Sequence, residues 1–313
     1  MKSSSVECIR SPNSLFELDV NCYVILGEPL TLVDTGIGTD VAWEALVQGL
    51  AEIGLQIESI QQILLTHKHA DHFGLARRIQ LASGARVLIH ESDREDILQF
   101  AEDHAKGVST ILDRLRLWGT PGEVIEECKP ALQATKRMAE SVDAEPLHEG
   151  QRLPVNGQDL EVLHTPGHTL GSICLRYGNA LMTGDHVLPQ YTPNIGATDC
   201  GSRGLLQKFL KSLQRLRSLC SEDLQVLPGH GPPIVRLAAR LDSMVGHHHH
   251  RSDRILEILA GEKDMTTWQV ASQLFGTLRG IHIFLGAGEV DAHFDYLKDQ
   301  GKVRSSGGRL SLA

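Results

Sequence analysis

The chain has 313 residues, 41% of them hydrophobic and 22% charged, the profile of a soluble globular protein with one sizeable α/β core and room for a small appendage. Its net charge of −9 argues against a nucleic-acid partner, which favours basic surfaces. The opening MKSSSVECIRSPNS has no apolar leader segment, no run is long enough to cross a bilayer, and the six cysteines (Cys8, Cys22, Cys128, Cys174, Cys200, Cys220) form no C-x-x-C pair. These features predict a cytoplasmic protein with reduced thiols, no membrane contact and no cysteine metal site.

Two β-rich runs come first, NCYVILG and LTLVDTG, separated by a turn at Glu28-Pro29. A helical pattern follows in VAWEALVQGLAEIGL, then the strand QQILLT and the cluster HKHADH. LARRIQLASG reads as helix and ARVLIH as strand, so the elements alternate as in a layered α/β fold. Residues from about 91 to 145 form a charged helical insert, broken at Trp118, Gly119 and Pro121–Gly122. Strand character returns between 159 and 231 in DLEVLHT, SICLRY, ALMTGD and LQVLPGH, with the helix LLQKFLKSLQRLRSL before the last. The tail begins after an internal run, His247–His250, expected to be an exposed interdomain segment. RSDRILEILAG then reads as helix, and Thr266 to Gln269 opens another with capping-box spacing. GEVDAHFDYLKDQG gives a third helix, and KVRSSGGRLSLA two short strands around Gly307-Gly308.

Chemistry concentrates at the ends of strands. Alternation along an extended segment after Thr66 puts His67, His69 and Asp71 on one side, with His72 beside them. Imidazoles and carboxylates suit Zn²⁺ and similar divalent ions, so the cluster is read as a metal site. The remaining ligands are expected from other strand ends: His168 in HTPGHT, Asp185 in TGDH and His230 in PGHG, all in glycine-flanked turns that let the backbone come close.

THKHADH followed by TPGHT, TGDH and PGHG at these separations resembles the metallo-β-lactamase superfamily. The chain is most similar to its glyoxalase II-like and lactamase-B-like branches with a C-terminal winged helix. The resemblance covers essentially the whole chain and implies an αββα sandwich with the site at one edge. Residues 1–245 would form the catalytic domain, including the insert, and 251–313 a small winged-helix-like domain. It further implies that His67, His69 and His168 hold a first metal, that Asp71, His72 and His230 hold a second, and that Asp185 bridges them. Two divalent ions are expected, zinc foremost, with iron or manganese as alternatives. Asp34 in LVDTG matches a supporting position, although a plain turn aspartate fits equally well.

Several relatives are set apart by residue type. The diiron oxygen-reducing members carry Glu and Asp where this chain has Asp71 and His72. The cysteine ligand of some β-lactamases is replaced by Asp185, which argues against antibiotic hydrolysis as the main role. A one-iron persulfide-dioxygenase branch shares H-x-H-x-D-H, so that motif alone leaves redox chemistry open.

The expected activity is hydrolysis of a small thioester, ester or lactone by a metal-bound hydroxide, with Asp71 as the catalytic residue that orients the nucleophile or takes its proton. The alternative is a metal-dependent phosphodiesterase or ribonuclease, and behind it a winged-helix binding regulator. The insert, with Phe100, Leu112, Leu115, Leu117 and Trp118 and with Arg114 and Arg116 interleaved, reads either as a cap that binds an acyl chain or an anionic carrier or as an amphipathic hairpin packed on the sandwich or a second subunit, so a homo-oligomer is compatible. Tyr191 and Asn194 are pocket candidates. From Arg251 to Ala313 eight Lys/Arg meet eight Asp/Glu, a net charge of 8 − 8 = 0, so the tail is not expected to bind DNA.

Overall fold

The structure, a computed structural model, describes residues 6–13 and 18–313. Residues 1–5, part of the stretch read as lacking an apolar leader, lie outside the described residues.

Among the described residues the first half builds a six-stranded sheet in sequential order. Its strands are β1 (Val6–Ser11), β2 (Val20–Ile25), β3 (Thr31–Val33), β4 (Gln62–Leu65), β5 (Arg86–His90) and β6 (Glu145–Leu147). Pairing is antiparallel from β1 to β3 and parallel from β3 to β6. The second half adds a five-stranded sheet of β7 (Arg152–Val155), β8 (Gln158–His164), β9 (Ile173–Tyr177), β10 (Ala180–Gly184) and β11 (Gln225–Pro228), in the order β11-β10-β9-β8-β7.

Alternate residues of each strand face different layers, which dictates the sandwich. Tyr23, Ile25, Val33, Leu64 and Leu88 of the first sheet meet Leu160, Val162, Ile173, Leu175 and Met182 of the second in one shared core. Their neighbours Val24, Leu32, Ile63, Leu65 and Val87 turn the other way, onto α1 (Asp40–Glu52) and α3 (Ala76–Ser83). Covered on both faces, β2 and β4 are buried throughout, hence their near-continuous apolar sequences. Helix α1 buries Ala42, Leu46 and Leu50, spaced four apart on one face, and is capped by Thr39, whose hydroxyl accepts from the amide of Ala42 at 3.3 Å. On the far side, α7 (Leu205–Arg217) and the first half of α8 (Leu237–Gly261) cover the second sheet with Leu205, Phe209, Leu213, Leu216, Leu241 and Met244. The layers are helix, sheet, sheet, helix.

Several features depart from the sequence reading. Strand β1 precedes the two runs first identified; as an edge strand it exposes Glu7 and Arg10 and buries only Ile9 and Ser11, so its apolar signal is weak. The histidine run is not an exposed connector, because α8 continues through it without a break. His247, His249 and His250 face solvent, but His248 is fully buried. Met244, His248, Ser252, Ile255 and Leu259 keep the helical spacing across the run, a pattern that four identical residues disguise.

The insert consists of α4 (Glu91–Leu98), α5 (Phe100–Leu117) and α6 (Gly122–Ala134). Its apolar residues are engaged in packing. Phe100 meets Phe73 edge-on at 5.2 Å, and Leu115, Trp118, Ile125 and Cys128 pack with Ile283, Phe284 and Ala287 of α10 (Ile281–Asp299). Leu117 is the exception, exposed beside the tail. Helix α10 begins seven residues before the predicted segment, because Ile283, Phe284 and Ala287 are needed for this contact.

The tail itself comprises the end of α8, α9 (Thr267–Phe275), α10 and the hairpin β12 (Val303–Ser306) and β13 (Arg309–Leu312) around a small core of Ile255, Leu259, Val270, Phe294, Val303 and Leu310. The expected capping box is present: the Thr266 hydroxyl accepts from the Gln269 amide at 3.1 Å, and the Gln269 side chain accepts from the Thr266 amide at 2.8 Å. Among the described residues no helix is long and apolar enough to cross a membrane.

Candidate metal centre

The carboxyl ends of the strands converge on one edge of the sandwich. Strand β4 ends at Leu65, a bend carries Thr66 to Lys68, and His69 caps a single helical turn, α2 (Ala70–Phe73). Simple alternation therefore holds only as far as His69. Asp71 and His72 lie on the turn, which brings both within reach of His230 beyond β11 while the His72 ring stays 4.2 Å from that of His67. The result divides the motif into two groups of donors.

In the first group, Nδ1 of His69 lies 2.9 Å from Nε2 of His67 and 3.0 Å from Nε2 of His168. In the second, Nε2 of His72 lies 3.3 Å from Nε2 of His230, and Oδ2 of Asp71 is 3.5 Å from that His230 nitrogen. Asp185 sits between them. Its Oδ2 faces His168 Nε2 at 3.7 Å, while its Oδ1 faces Nε2 of His72 at 3.3 Å and of His230 at 3.5 Å. All seven expected side chains are thus brought together, and apart from the partly exposed His69 all are buried.

Each imidazole is fixed from behind. His67 Nδ1 lies 3.0 Å from the Thr66 hydroxyl and His69 Nε2 3.2 Å from that of Thr198. His168 Nδ1 faces the carbonyl of Asn194 at 2.9 Å, His230 Nδ1 that of Asp19 at 3.0 Å, and His72 Nδ1 the Asp34 carboxylate at 2.8 Å. A carbonyl or carboxylate on one ring nitrogen makes that nitrogen the donor and leaves the other with a lone pair aimed into the site. Asp34 also accepts from the amide and hydroxyl of Thr66, both at 2.8 Å, so it joins the two ends of the motif. It adopts φ of 56°, a left-handed conformation that aspartate tolerates better than most residues.

The electrostatics differ between the groups. Burial holds His67 and His69 well below the ordinary imidazole value, and His168 below it, so all three are neutral donors. In the second group burial opposes the charged forms, but the carboxylates outweigh it. Asp185, Asp71 and Asp34 carry His72 up to about 10, and Asp185 with Asp71 lifts His230 above its usual range. Asp71 falls against its own burial to about 2, chiefly through His72 and His230. Positive charge is therefore already gathered around Asp71 and Asp185, and a divalent ion would take the place of those protons. Oδ1 of Asp185 is buried without a hydrogen-bond partner among the described residues, although two imidazole nitrogens face it. An oxygen so placed fits a cation better than a hydrogen-bond network.

Two supporting residues were not assigned a role by the motifs. Asp93, fully buried, accepts from the amides of Lys68 at 3.1 Å and Gly171 at 2.7 Å and from the Thr169 hydroxyl at 2.6 Å, clamping the His67–His69 loop to the His168 loop. Lys68 binds Asp96 at 2.6 Å and Asp199 at 2.7 Å, tying α4 to the loop that carries Thr198. The available signal was topological: Asp34, Thr66 and Asp93 follow the ends of the adjacent parallel strands β3, β4 and β5. Of the two pocket candidates, Asn194 is a support for His168. Tyr191 is 43% exposed, and its carbonyl accepts from Arg240 at 2.7 Å.

Known proteins show the same architecture. A solved metallo-beta-lactamase family protein from Thermus thermophilus superposes with a TM-score of 0.84 at 29% identity, covering 100% of both chains. A beta-lactamase domain protein from Burkholderia ambifaria gives 0.81 at 22% identity, a likeness of fold, over 100% of this chain and 93% of that one. In sequence, the probable metallo-hydrolase YqjP of Bacillus subtilis (strain 168) is 29% identical over 97% of this chain and 96% of its own. An atrochrysone carboxyl ACP thioesterase of Aspergillus fumigatus is 26% identical over 79% of this chain, which spans 45% of that longer protein. The model of the metallo-beta-lactamase superfamily matches residues 15–230, every donor described above included, and the chain belongs to that superfamily.

Proposed function

We propose that the chain is a dinuclear metal-dependent hydrolase of a small thioester, ester or lactone. The observation that carries this reading is Asp185, which turns one carboxylate oxygen to each donor group. His67, His69 and His168 would hold one ion, and Asp71, His72 and His230 the other. Zinc suits a donor set of imidazoles and carboxylates, with iron or manganese as alternatives. When bound, the two ions supply Lewis acidity, lowering the pKa of a water towards about 7 and polarising a carbonyl oxygen. Asp71, steadied by the Asn13 amide at 3.0 Å, would orient the attacking water or take its proton. Asp34 keeps His72 in one tautomer, and the carbonyls of Asn194 and Asp19 do the same for His168 and His230.

The metallo-hydrolase and thioesterase relatives favour acyl transfer to water, and we place the chain near the glyoxalase II-like branch. We further read residues 251–313 as a winged-helix-like unit appended to a catalytic domain of residues 1–245, with α8 shared between them. Glu289 and Asp295 turn onto the catalytic domain, which supports a docking role for this unit over DNA binding.

The test is a hydrolysis panel on zinc-, iron- and manganese-reconstituted protein: S-acyl glutathione and CoA thioesters, lactones, bis-p-nitrophenyl phosphate and short RNA. Thioester or lactone turnover well above phosphodiester turnover, reduced strongly by Asp71→Asn, is the expected result. Comparable RNA cleavage lost in the same variant would make the chain a ribonuclease instead.

A further inference from the structure

A second buried cluster lies at the junction of α8 and α10. Nδ1 of His248, Nε2 of His293 and Oε1 of Glu289 lie within 3.2–3.8 Å of one another, a spacing that three metal ligands could share. However, Nη1 of Arg251 sits 2.6 Å from the same Glu289 oxygen, so a fixed cation already neutralises the carboxylate there. A metal ion at that point would be placed against a guanidinium.

The other oxygen of Glu289 points out of the cluster. Oε2 accepts from the Asn194 side chain and from the amide of Ile195, both at 2.9 Å. The Asn194 side-chain amide also donates to the carbonyl of Leu285 at 2.9 Å, and the Asn194 backbone carbonyl is the acceptor for Nδ1 of His168. Packing adds a second constraint. A Cβ on Gly288 would come within 2.7 Å of Ala197 Cα, and one on Gly196, whose φ is +99°, within 2.6 Å of Ala292 Cβ. Helix and loop therefore meet with no room for a side chain on either glycine. Further along, Thr198 meets His69 and Asp199 meets Lys68, so residues 194–199 back two of the three first-group imidazoles.

We propose that Glu289 is a positioning residue of the metal centre: held by Arg251, it locks Asn194 and Ile195 so that the 194–199 loop sets His168 and His69 for metal binding. This rests on the metal-centre reading above. It also makes the C-terminal unit part of the site, through the contact of α10 with the 194–199 loop.

The experiment compares zinc affinity, by competition with a chromophoric chelator, and the cobalt-substituted absorption spectrum in full-length wild type, Glu289→Gln, Asn194→Ala and Val290→Ala. Val290 is buried in the C-terminal core on the same helix and serves as the purely structural control. Glu289→Gln and Asn194→Ala should each weaken zinc binding at the His67, His69 and His168 group by roughly tenfold and shift the cobalt bands. Val290→Ala should lower the Tm while leaving both readouts unchanged. The inference is overturned if Glu289→Gln leaves affinity and spectrum as in wild type, or if Val290→Ala changes them equally. A third zinc equivalent that disappears in His248→Ala would also overturn it, because the cluster would then be a metal site. Wild type without bound zinc would overturn the metal-centre reading itself, a result distinct from all of these.

Discussion

Oδ2 of Asp34 lies 2.8 Å from Nδ1 of His72, and the same carboxylate holds the amide and hydroxyl of Thr66. One residue at the end of β3 thus sets the ring of a second-group donor and the start of the loop bearing the first group. Asp34→Asn retains the left-handed backbone, since asparagine tolerates φ above zero, but removes the charge that favours the Nδ1–H tautomer. Metal affinity of the second group should fall by roughly 10–100-fold with little loss of Tm. Isothermal titration of zinc into the variant checks this, and unchanged affinity would reduce Asp34 to a turn residue.

The two donor groups predict two ions per chain. Asp185→Ala removes the carboxylate facing both groups and should lower the occupancy of both, whereas His168→Ala should mainly empty the first. Elemental analysis of saturated, desalted protein decides it. One ion per wild-type chain at saturation would end the dinuclear reading and revive one-iron chemistry.

Lys68 is a half-buried cation between Asp96 and Asp199, with its side chain 11% exposed. Three nearby carboxylates, those of Asp199, Asp93 and Asp96, outweigh the burial that would neutralise it and raise its pKa. Lys68→Met would leave the Asp199 carboxylate, 8% exposed, without its counter-charge. Removing one partner of a buried pair costs about 3 kcal/mol, discounted towards about 2 here because Asp96 is open to solvent. Chemical denaturation of metal-free protein measures the loss, and a change under about 0.5 kcal/mol would show that the pair contributes little.

Glu289 gives the protein an acid-sensitive contact. Burial alone would raise its pKa, but His293, Arg251 and His248 together hold it down to about 2, below the ordinary 4.5. The groups facing it are His248 and Arg251 from α8, His293 from α10, and the neutral Asn194 and Ile195 from the loop. A depressed carboxylate stabilises the fold above its unfolded value and loses that contribution as pH falls from about 4.5 towards about 2. The stability gap between wild type and Glu289→Gln should therefore narrow on acidification. Urea midpoints at about pH 7 and about pH 3.5 check the sign, and a gap that widens in acid would contradict it.

The sequence made the donors legible because strand ends, glycine turns and ligand chemistry coincide in HKHADH, TPGHT, TGDH and PGHG. It did not reveal that Asp71 and His72 lie on a helical turn, since a single turn carries no period that six residues can display. Asp93, Lys68 and Glu289 stayed hidden for another reason: each is tied to the site by partners at least 25 positions away, Lys68 for Asp93, Asp96 for Lys68 and Asn194 for Glu289, which no local pattern encodes. The His247–His250 run misled because its composition masked the four-residue spacing of Met244, His248 and Ser252 in α8. Weak edge strands such as β1 escaped because only two of their residues are buried.

Two glycines inside helices should respond to alanine with opposite signs. Gly246 lies within α8 on the exposed face, and a Cβ there would meet nothing within 4 Å. Alanine costs less backbone entropy on folding, so Gly246→Ala should stabilise the chain by about 0.5–1 kcal/mol. Gly288 has the same propensity to gain but no room, since its Cβ would fall 2.7 Å from Ala197 Cα and 3.0 Å from both Ala197 Cβ and N. The obstacle is mostly backbone and cannot rotate away, so either α10 or the 194–199 loop must move. Overpacking of this kind costs about 1–3 kcal/mol, more than the propensity gain. Gly288→Ala should therefore destabilise the chain, and it should also displace Asn194 and weaken zinc binding, which Gly246→Ala should leave untouched. Thermal denaturation paired with chelator competition on both variants tests the two signs together. A Gly288→Ala protein as stable as Gly246→Ala would mean that the loop yields freely and does not set His168.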